Sequence, residues 1–333
     1  MLNKSLLPLF VIVFFLGCGG TTPTPSTQIS KKEPPSWYLN PPQDNAQFMY
    51  GVAMEYDRES AIKAALSDMI SKLGISIESS FQNTQTVEYS HATKKTMSDI
   101  KADISKTKIN NYKVIQSERV SYKEFAVLVQ TDKKEFTSGL IQSLDNKIDS
   151  INRELAVVKS SDVLTRYNTK KSVSQKALKM NSDVLLVAAL DKSFKKEPYL
   201  KFIDSTHNLF LKAKKSLHFS VSGNKRSSEF VKSIKDYLVK HQFQLSDTIN
   251  KDTVSIKLLA NEKLTQSNAM SIAIITLSIN ATNSAKRIGG KSLTMKQRNS
   301  GDMQRTYQNA AVSLSEEIET QGINEVIGLN LNI

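Results

Sequence analysis

Apolar positions in this chain change period three times, and each change predicts a different kind of unit. Residues 48–53 read as a short strand. Ala61, Ile62, Ala65, Leu66, Met69, Ile70 and Leu73 then recur at intervals of three and four, which places them on one face of a helix over about residues 59–73. Asp57 or Ser60 suits its start and Gly74 its end. Ile75, Ile77, Ser79 and Phe81 alternate, predicting a second strand. The polar stretch 86–108 shows no clear period and reads as loop or helix. Residues 112–121 and 125–131 alternate again and predict a hairpin. One helix on an antiparallel sheet is the expected unit.

From Lys133 the period becomes about three and a half. Ile141, Leu144, Ile148, Ile151, Leu155 and Val158 form a coiled-coil-like seam that breaks at Asp162. Helices near residues 169–192 and 197–216 follow, so a helical hairpin or small bundle is expected. A seam this short is expected to pack within the chain. The run Val184, Leu185, Leu186, Val187, Ala188, Ala189 and Leu190 reads as a buried helix turn. A third unit opens at Leu217. Phe219 and Val221 suggest a strand, Ser227 a cap for a helix through Phe230, Ile234 and Leu238, and residues 254–258 and 272–281 two strands. Residues 292–297 would pair with the second of these after a turn at Gly289 and Gly290, before a last helix over about residues 303–318. The fold class is therefore α+β: two small antiparallel-sheet-plus-helix domains, 36–135 and 217–333, joined by a helical hairpin or coiled-coil segment, 136–216.

The first 35 residues have a different pattern. Lys4 precedes about ten apolar residues that end at Leu16, Gly17 and Cys18. That arrangement is a secretory signal, too short for a spanning helix, which needs roughly 20 residues. With Cys18 directly after Leu16 and Gly17 it resembles the bacterial lipobox. Residues 1–17 are then a removed signal peptide and Cys18 is the lipidation site. Gly19 stands where an Asp would retain the protein at the inner membrane, so the outer membrane is the expected address. Residues 18–35, rich in Thr, Pro, Ser and Lys, read as a flexible tether. Cys18 is the chain's single cysteine, so no intrachain disulfide is expected.

The chain has 333 residues, 39% apolar and 23% charged, with a formal net charge of +13. The charge is clustered. Eleven lysines face four acids between Lys170 and Lys215. Lys170, Lys171, Lys195, Lys196, Lys212, Lys214 and Lys215 are the candidate contacts for an anionic surface such as lipopolysaccharide or peptidoglycan. A second basic stretch holds Lys286, Arg287, Lys291, Lys296, Arg298 and Arg305 against Asp302. A periplasmic address speaks against nucleic acid. The four histidines, His91, His207, His218 and His241, stand at no metal-ligand spacing, and no nucleophile motif is present. Gly290-Lys291-Ser292 echoes the end of a phosphate-binding loop, but Ala285 stands where that loop needs glycine. No catalytic residue, metal or cofactor is expected. Trp37 and Tyr38 form the densest aromatic cluster and suit a plug over the end of a small core.

Pro35-Ser36-Trp37, then Met49-Tyr50-Gly51-Val52-Ala53, then the Ala-rich run from Asp57 to Leu66 resemble the LPP-twenty family of bacterial outer-membrane lipoproteins. The resemblance covers residues 35–135. It implies a lipoprotein with a glycine-bearing strand under an alanine-rich helix, and a relation to flagellar outer-membrane lipoproteins. Gly51 would permit close backbone approach, with Ala61, Ala64 and Ala65 letting the helix lie tight on the sheet. The expected function is a non-enzymatic scaffold or structural component of the cell envelope, on the periplasmic face of the outer membrane. Exposure on the outer surface and homo-oligomerisation stay open. Its partners would be the membrane through acylated Cys18 and other envelope proteins. The alternative is an envelope-assembly or carrier lipoprotein that binds lipopolysaccharide or peptidoglycan through its basic surface.

Overall fold

Each of the three predicted units closes on an apolar core of its own. The structure, a computed structural model, describes residues 32–82, 102–267 and 270–333. The expected signal segment with Cys18, most of the expected tether, His91 and most of the polar stretch at 86–108 lie outside the described residues.

In the N-terminal unit, α1 (Ser36–Leu39) is followed by β1 (Phe48–Glu55), α2 (Arg58–Gln82), β2 (Lys113–Ser121) and β3 (Glu124–Asp132), the sheet running in the order β1-β3-β2. Both pairings are antiparallel, as the hairpin pattern predicts. Asp57 starts α2: its carboxylate accepts from the Ser60 amide at 2.9 Å and from the Ser60 hydroxyl at 2.8 Å. These bonds, the amide foremost, hold the Asp57 carboxyl below its usual range. Gly51 and the alanines act as the resemblance implies. A Cβ on Gly51 would stand 2.0 Å from the Ala65 carbonyl oxygen, and Ala61 and Ala65 are fully buried. The outer edge of β1 is closed by α2, whose Asp68 accepts from the Val52 amide at 3.1 Å and pairs with Lys72 at 2.6 Å.

The strand expected at 75–81 does not form. α2 runs on through Gly74 to Gln82. Ile70, Leu73 and Ile77 continue its stripe into the core, while Ile75 is 57% exposed, so the alternation was incidental. Extending the buried stripe outweighs the roughly 1 kcal/mol that glycine costs inside a helix.

The middle unit is three helices: α3 (Lys133–Val157), α4 (Val163–Leu190) and α5 (Glu197–Ser216). The seam packs within the chain, Leu144 and Ile151 being buried against Val173, Ala177, Met180 and Val184 of α4. Lys147 to Asp183 and Lys176 to Glu154, each at 2.7 Å, join α3 to α4. The break at Asp162 is an N-cap. α4 starts six residues earlier than its periodicity suggested, with the Asp162 carboxylate accepting from the amides of Leu164 and Thr165 at 3.0 Å. Burial works against that charge, but the Thr165 hydroxyl and these amides outweigh it and lower the Asp162 pKa.

α4 joins all three cores. Val163, Leu164 and Tyr167 at its start lie in the C-terminal core, and Leu185 and Leu186 near its end lie in the N-terminal core. Val184 and Val187 face the helical core between them. The run 184–190 is therefore apolar all round because two cores enclose it.

The C-terminal unit contains β4 (His218–Gly223), α6 (Ser228–Lys240), β5 (Gln244–Leu245), the long hairpin β6 (Thr253–Ser267) and β7 (Met270–Asn283), β8 (Lys286–Gly289), β9 (Ser292–Asn299), α7 (Met303–Gln321) and α8 (Ile323–Ile327). Antiparallel pairing holds for β6 through β9, but β4 pairs parallel with both β5 and β6, so this sheet is mixed. Its inner face, with Val254, Ile256, Leu258, Ile275 and Leu277, packs on α6, α7 and α8. Ser227 precedes α6 but does not cap it with its side chain: the buried hydroxyl donates to the carbonyls of Asn224 and Leu258.

The turn expected at Gly289 and Gly290 lies elsewhere. β7 reverses at Ser284 and Ala285, both with positive φ (48° and 64°). β8 and β9 then follow one another along the same edge of β7. Gly290, at φ +118°, kinks the chain between them, and a Cβ there would meet the Ile279 carbonyl at 2.2 Å. Lys291 donates to the Glu325 carbonyl at 2.7 Å, so this segment holds the C-terminal tail in place and forms no phosphate loop.

Candidate functional site

The antiparallel course of α4 and α5 divides the seven predicted lysines. Lys170 and Lys171, early in α4, come to the same end of the hairpin as Lys212, Lys214 and Lys215 in the last turns of α5. Lys195 and Lys196 precede α5 at the opposite end, about 27 Å away along the helix. The single patch expected from the sequence is therefore two sites. Lys195 sits at the rim of an apolar groove of about 530 Å³ between α3 and α5, lined by Ile141, Ile148, Phe194 and Phe202.

The other site is a cleft of about 590 Å³ where α4, α6, the α7–α8 joint and the C-terminal tail meet. Leu331, Asn332 and Ile333 of the tail form one wall, and the buried Asn168 beside them holds the tail backbone in both directions. The Asn168 side-chain amide donates to the Asn330 carbonyl at 2.8 Å and its carbonyl accepts from the Asn332 amide at 3.0 Å. One turn on, Lys171 lines the cleft and its ammonium donates to the Asn332 carbonyl at 3.3 Å. Burial, and then the like charge of Lys214, lower the pKa of Lys171. Lys214 itself donates to Gln242 at 3.3 Å and lies 6.0 Å over the Phe243 ring. Tyr237 and Asn324 face the same space. Burial, followed by the nearby Glu319 carboxylate, raises the Tyr237 pKa. Two cations that repel one another, one of them partly desolvated, suit an anionic group.

Sequence reasoning missed Asn168, Tyr237 and Asn324. Tyr237 and Asn324 reach the cleft, and Asn168 the tail beside it, only through long-range packing that no local pattern signals.

Other chemistry is sparse. Ser174 lies 2.9 Å from Nδ1 of His207, but the pair is packed between α4 and α5, and no carboxylate bonds the ring among the described residues. No group of three or more metal-ligating side chains occurs among the described residues. Glu316, Glu317 and Glu319 are exposed, as a solvated face requires, with Glu319 paired to Lys240 at 2.7 Å. Trp37 and Tyr38 are half-buried on α1, which rests on β3. Next to them the chain enters the sheet, where the Lys32 amide donates to the Val120 carbonyl at 3.0 Å.

The close contact of Gly51 with α2 is the feature the resemblance rests on. Residues 35–132 match the LPP20 lipoprotein family. This LPP20 domain carries both the predicted glycine strand and the alanine helix. Beyond it, the crystal structure of the secreted protein HP1454 from the human pathogen Helicobacter pylori aligns at a TM-score of 0.49 and 13% identity, over 83% of this chain and 98% of that one. A minor lipoprotein from Acinetobacter baumannii aligns at 0.26 and 14% identity, over 31% of this chain and 91% of that one. Neither likeness adds to the functional reading. No curated protein matches the chain. Among the described residues no helix is long and apolar enough to cross a membrane.

Proposed function

We propose that the chain is a lipid-anchored lipoprotein of the outer membrane, held by acylated Cys18 and presenting its domains to other envelope components as a non-enzymatic scaffold. The LPP20 match over residues 35–132, downstream of a signal ending in Cys18, carries the reading. Support for a scaffold comes from α4, which ties the LPP20 core, the helical core and the C-terminal core into one body. The flagellar relation implied by the resemblance is no part of this reading. The test is Cys18→Ser in cells, with membrane fractionation and labelling by radioactive palmitate. Label and membrane association should both be lost. A substituted protein that still sediments with the outer membrane would overturn the anchor.

Lys171 supports the carrier reading as a second one, in which the cleft takes an anionic group of an envelope polymer. Lys171→Ala should then weaken salt-sensitive binding to purified lipopolysaccharide or peptidoglycan. Equal binding by the variant would exclude the cleft.

A further inference from the structure

The outer face of the C-terminal sheet is a basic surface that the readings above leave unused. Strand register places Lys263, Ile274 and Lys296 in one row across β6, β7 and β9, and Thr265, Ile272 and Arg298 in the next. Lys257 and Leu259 continue the face along β6, and Leu259 is 44% exposed. The helices of this unit pack on the opposite, inner face. Outward positions on β4, β6, β7 and β9 include no acidic and no large aromatic side chain. Lys257, Lys263, Lys296 and Arg298 are exposed and make no ion pair or hydrogen bond through their side chains among the described residues. Two isoleucines thus form a low apolar ridge between cationic flanks on the strands to either side.

From this geometry we infer that the outer face of β6, β7 and β9 docks on an anionic membrane surface. Lipid phosphates complement the flanking cations, whose long stems cover apolar surface while their heads reach the headgroups. Ile272, Ile274 and Leu259 supply shallow apolar contact of the kind that interfacial segments make. A second copy of this face is disfavoured by like charge. A carboxylated glycan strand would want flat aromatic faces for its sugar rings, and the face offers none. The inference goes beyond the anchor reading and does not need it. The face lies in the unit that holds the start of α4, whereas the tether enters the unit that holds its end, about 40 Å away along a helix of this length. A contact at this distance adds a second point of attachment.

The test uses the chain from Lys32 onward, which keeps every described element and lacks Cys18, so its outcome is independent of acylation. Co-sedimentation is measured with phosphatidylcholine vesicles, with and without phosphatidylglycerol, at low and high salt. Binding should require the anionic lipid and fall as salt rises. The triple variant Lys263→Gln, Lys296→Gln, Arg298→Gln should lower the partition coefficient about 100-fold, roughly five-fold per charge. Removing the same charge at the exposed Lys179, Lys192 and Lys201 of the helical unit should change it by less than about two-fold. Circular dichroism confirms that each variant is folded. Several results would overturn the inference: no binding by the parent chain, undiminished binding by the first variant, or equal loss in the second. Salt-sensitive binding to peptidoglycan sacculi without vesicle binding would also overturn it and assign the face to a polymer.

Discussion

The LPP20 domain and the C-terminal domain both lay helices on one side of a sheet, yet they reach that arrangement by different packing. In the first, α2 comes so near β1 that the contact needs the absence of a side chain at Gly51 and only methyl groups at Ala61 and Ala65. In the second, large side chains such as Phe219, Phe230, Ile256 and Leu258 fill a thicker space under α6 and α7. Close-packed backbone tolerates no added atom, whereas a thick core tolerates exchange of shape at constant volume. A motif of small residues is therefore readable in sequence, and a core of large residues is not specific enough to be one.

The largest effect expected is on the thick core. Phe230 is fully buried, with its ring edge-on to Tyr307 at 6.2 Å. Phe230→Ala should cost about 4 kcal/mol, measured by urea titration, while Ile256→Leu should cost under about 1.5 kcal/mol. If the two changes cost the same, the volume argument fails. Gly51→Ala should cost about 3 kcal/mol despite adding a single carbon. Gly139, in α3, is its control: a side chain there would point into open space. There the same substitution should gain about 0.5–1 kcal/mol from helix propensity.

A smaller effect probes the helix that joins the two domains. Asp162→Ala should cost about 1 kcal/mol at neutral pH through loss of the α4 cap. Because the folded pKa of Asp162 is depressed below 3.8, its contribution is full above that value and disappears as pH falls through the folded pKa. Parent and variant should therefore converge in strongly acidic solution. A gap that persists there would point to packing. The smallest effect belongs to the β7–β8 turn, where Ala285 holds a positive φ of 64°. Ala285→Gly should raise stability by under about 1 kcal/mol, and a loss would mean that the methyl group is packed.

Much of the fold was legible where one periodicity acted on one core. The β2–β3 hairpin, the α3 seam and the stripe of α2 up to Leu73 each face a single partner, so their patterns survive in the sequence. The errors fall where a residue had two explanations. Ile75 and Ile77 alternate by accident in the middle of a helical stripe. Gly289 and Gly290 resemble a turn but serve a kink, while the true turn uses Ser284 and Ala285, which carry no turn signature. Among the site residues, the lysines were visible as a surplus. Their division into two ends of a helical hairpin was not, because their spacing along the chain says nothing of the direction in which α5 returns.

The sequence by itself determined the glycine and alanine contact of the LPP20 domain and the helical character of the middle segment. Each depends on residues close together in the chain, whose chemistry or period acts locally. Tertiary structure alone decided that α4 enters three cores, that Asn168 holds the tail beside the Lys171 cleft, and that Lys263, Lys296 and Arg298 share one open face. Those groupings join residues up to 164 positions apart, as Asn332 and Asn168 are, and only long-range packing and strand register bring them together.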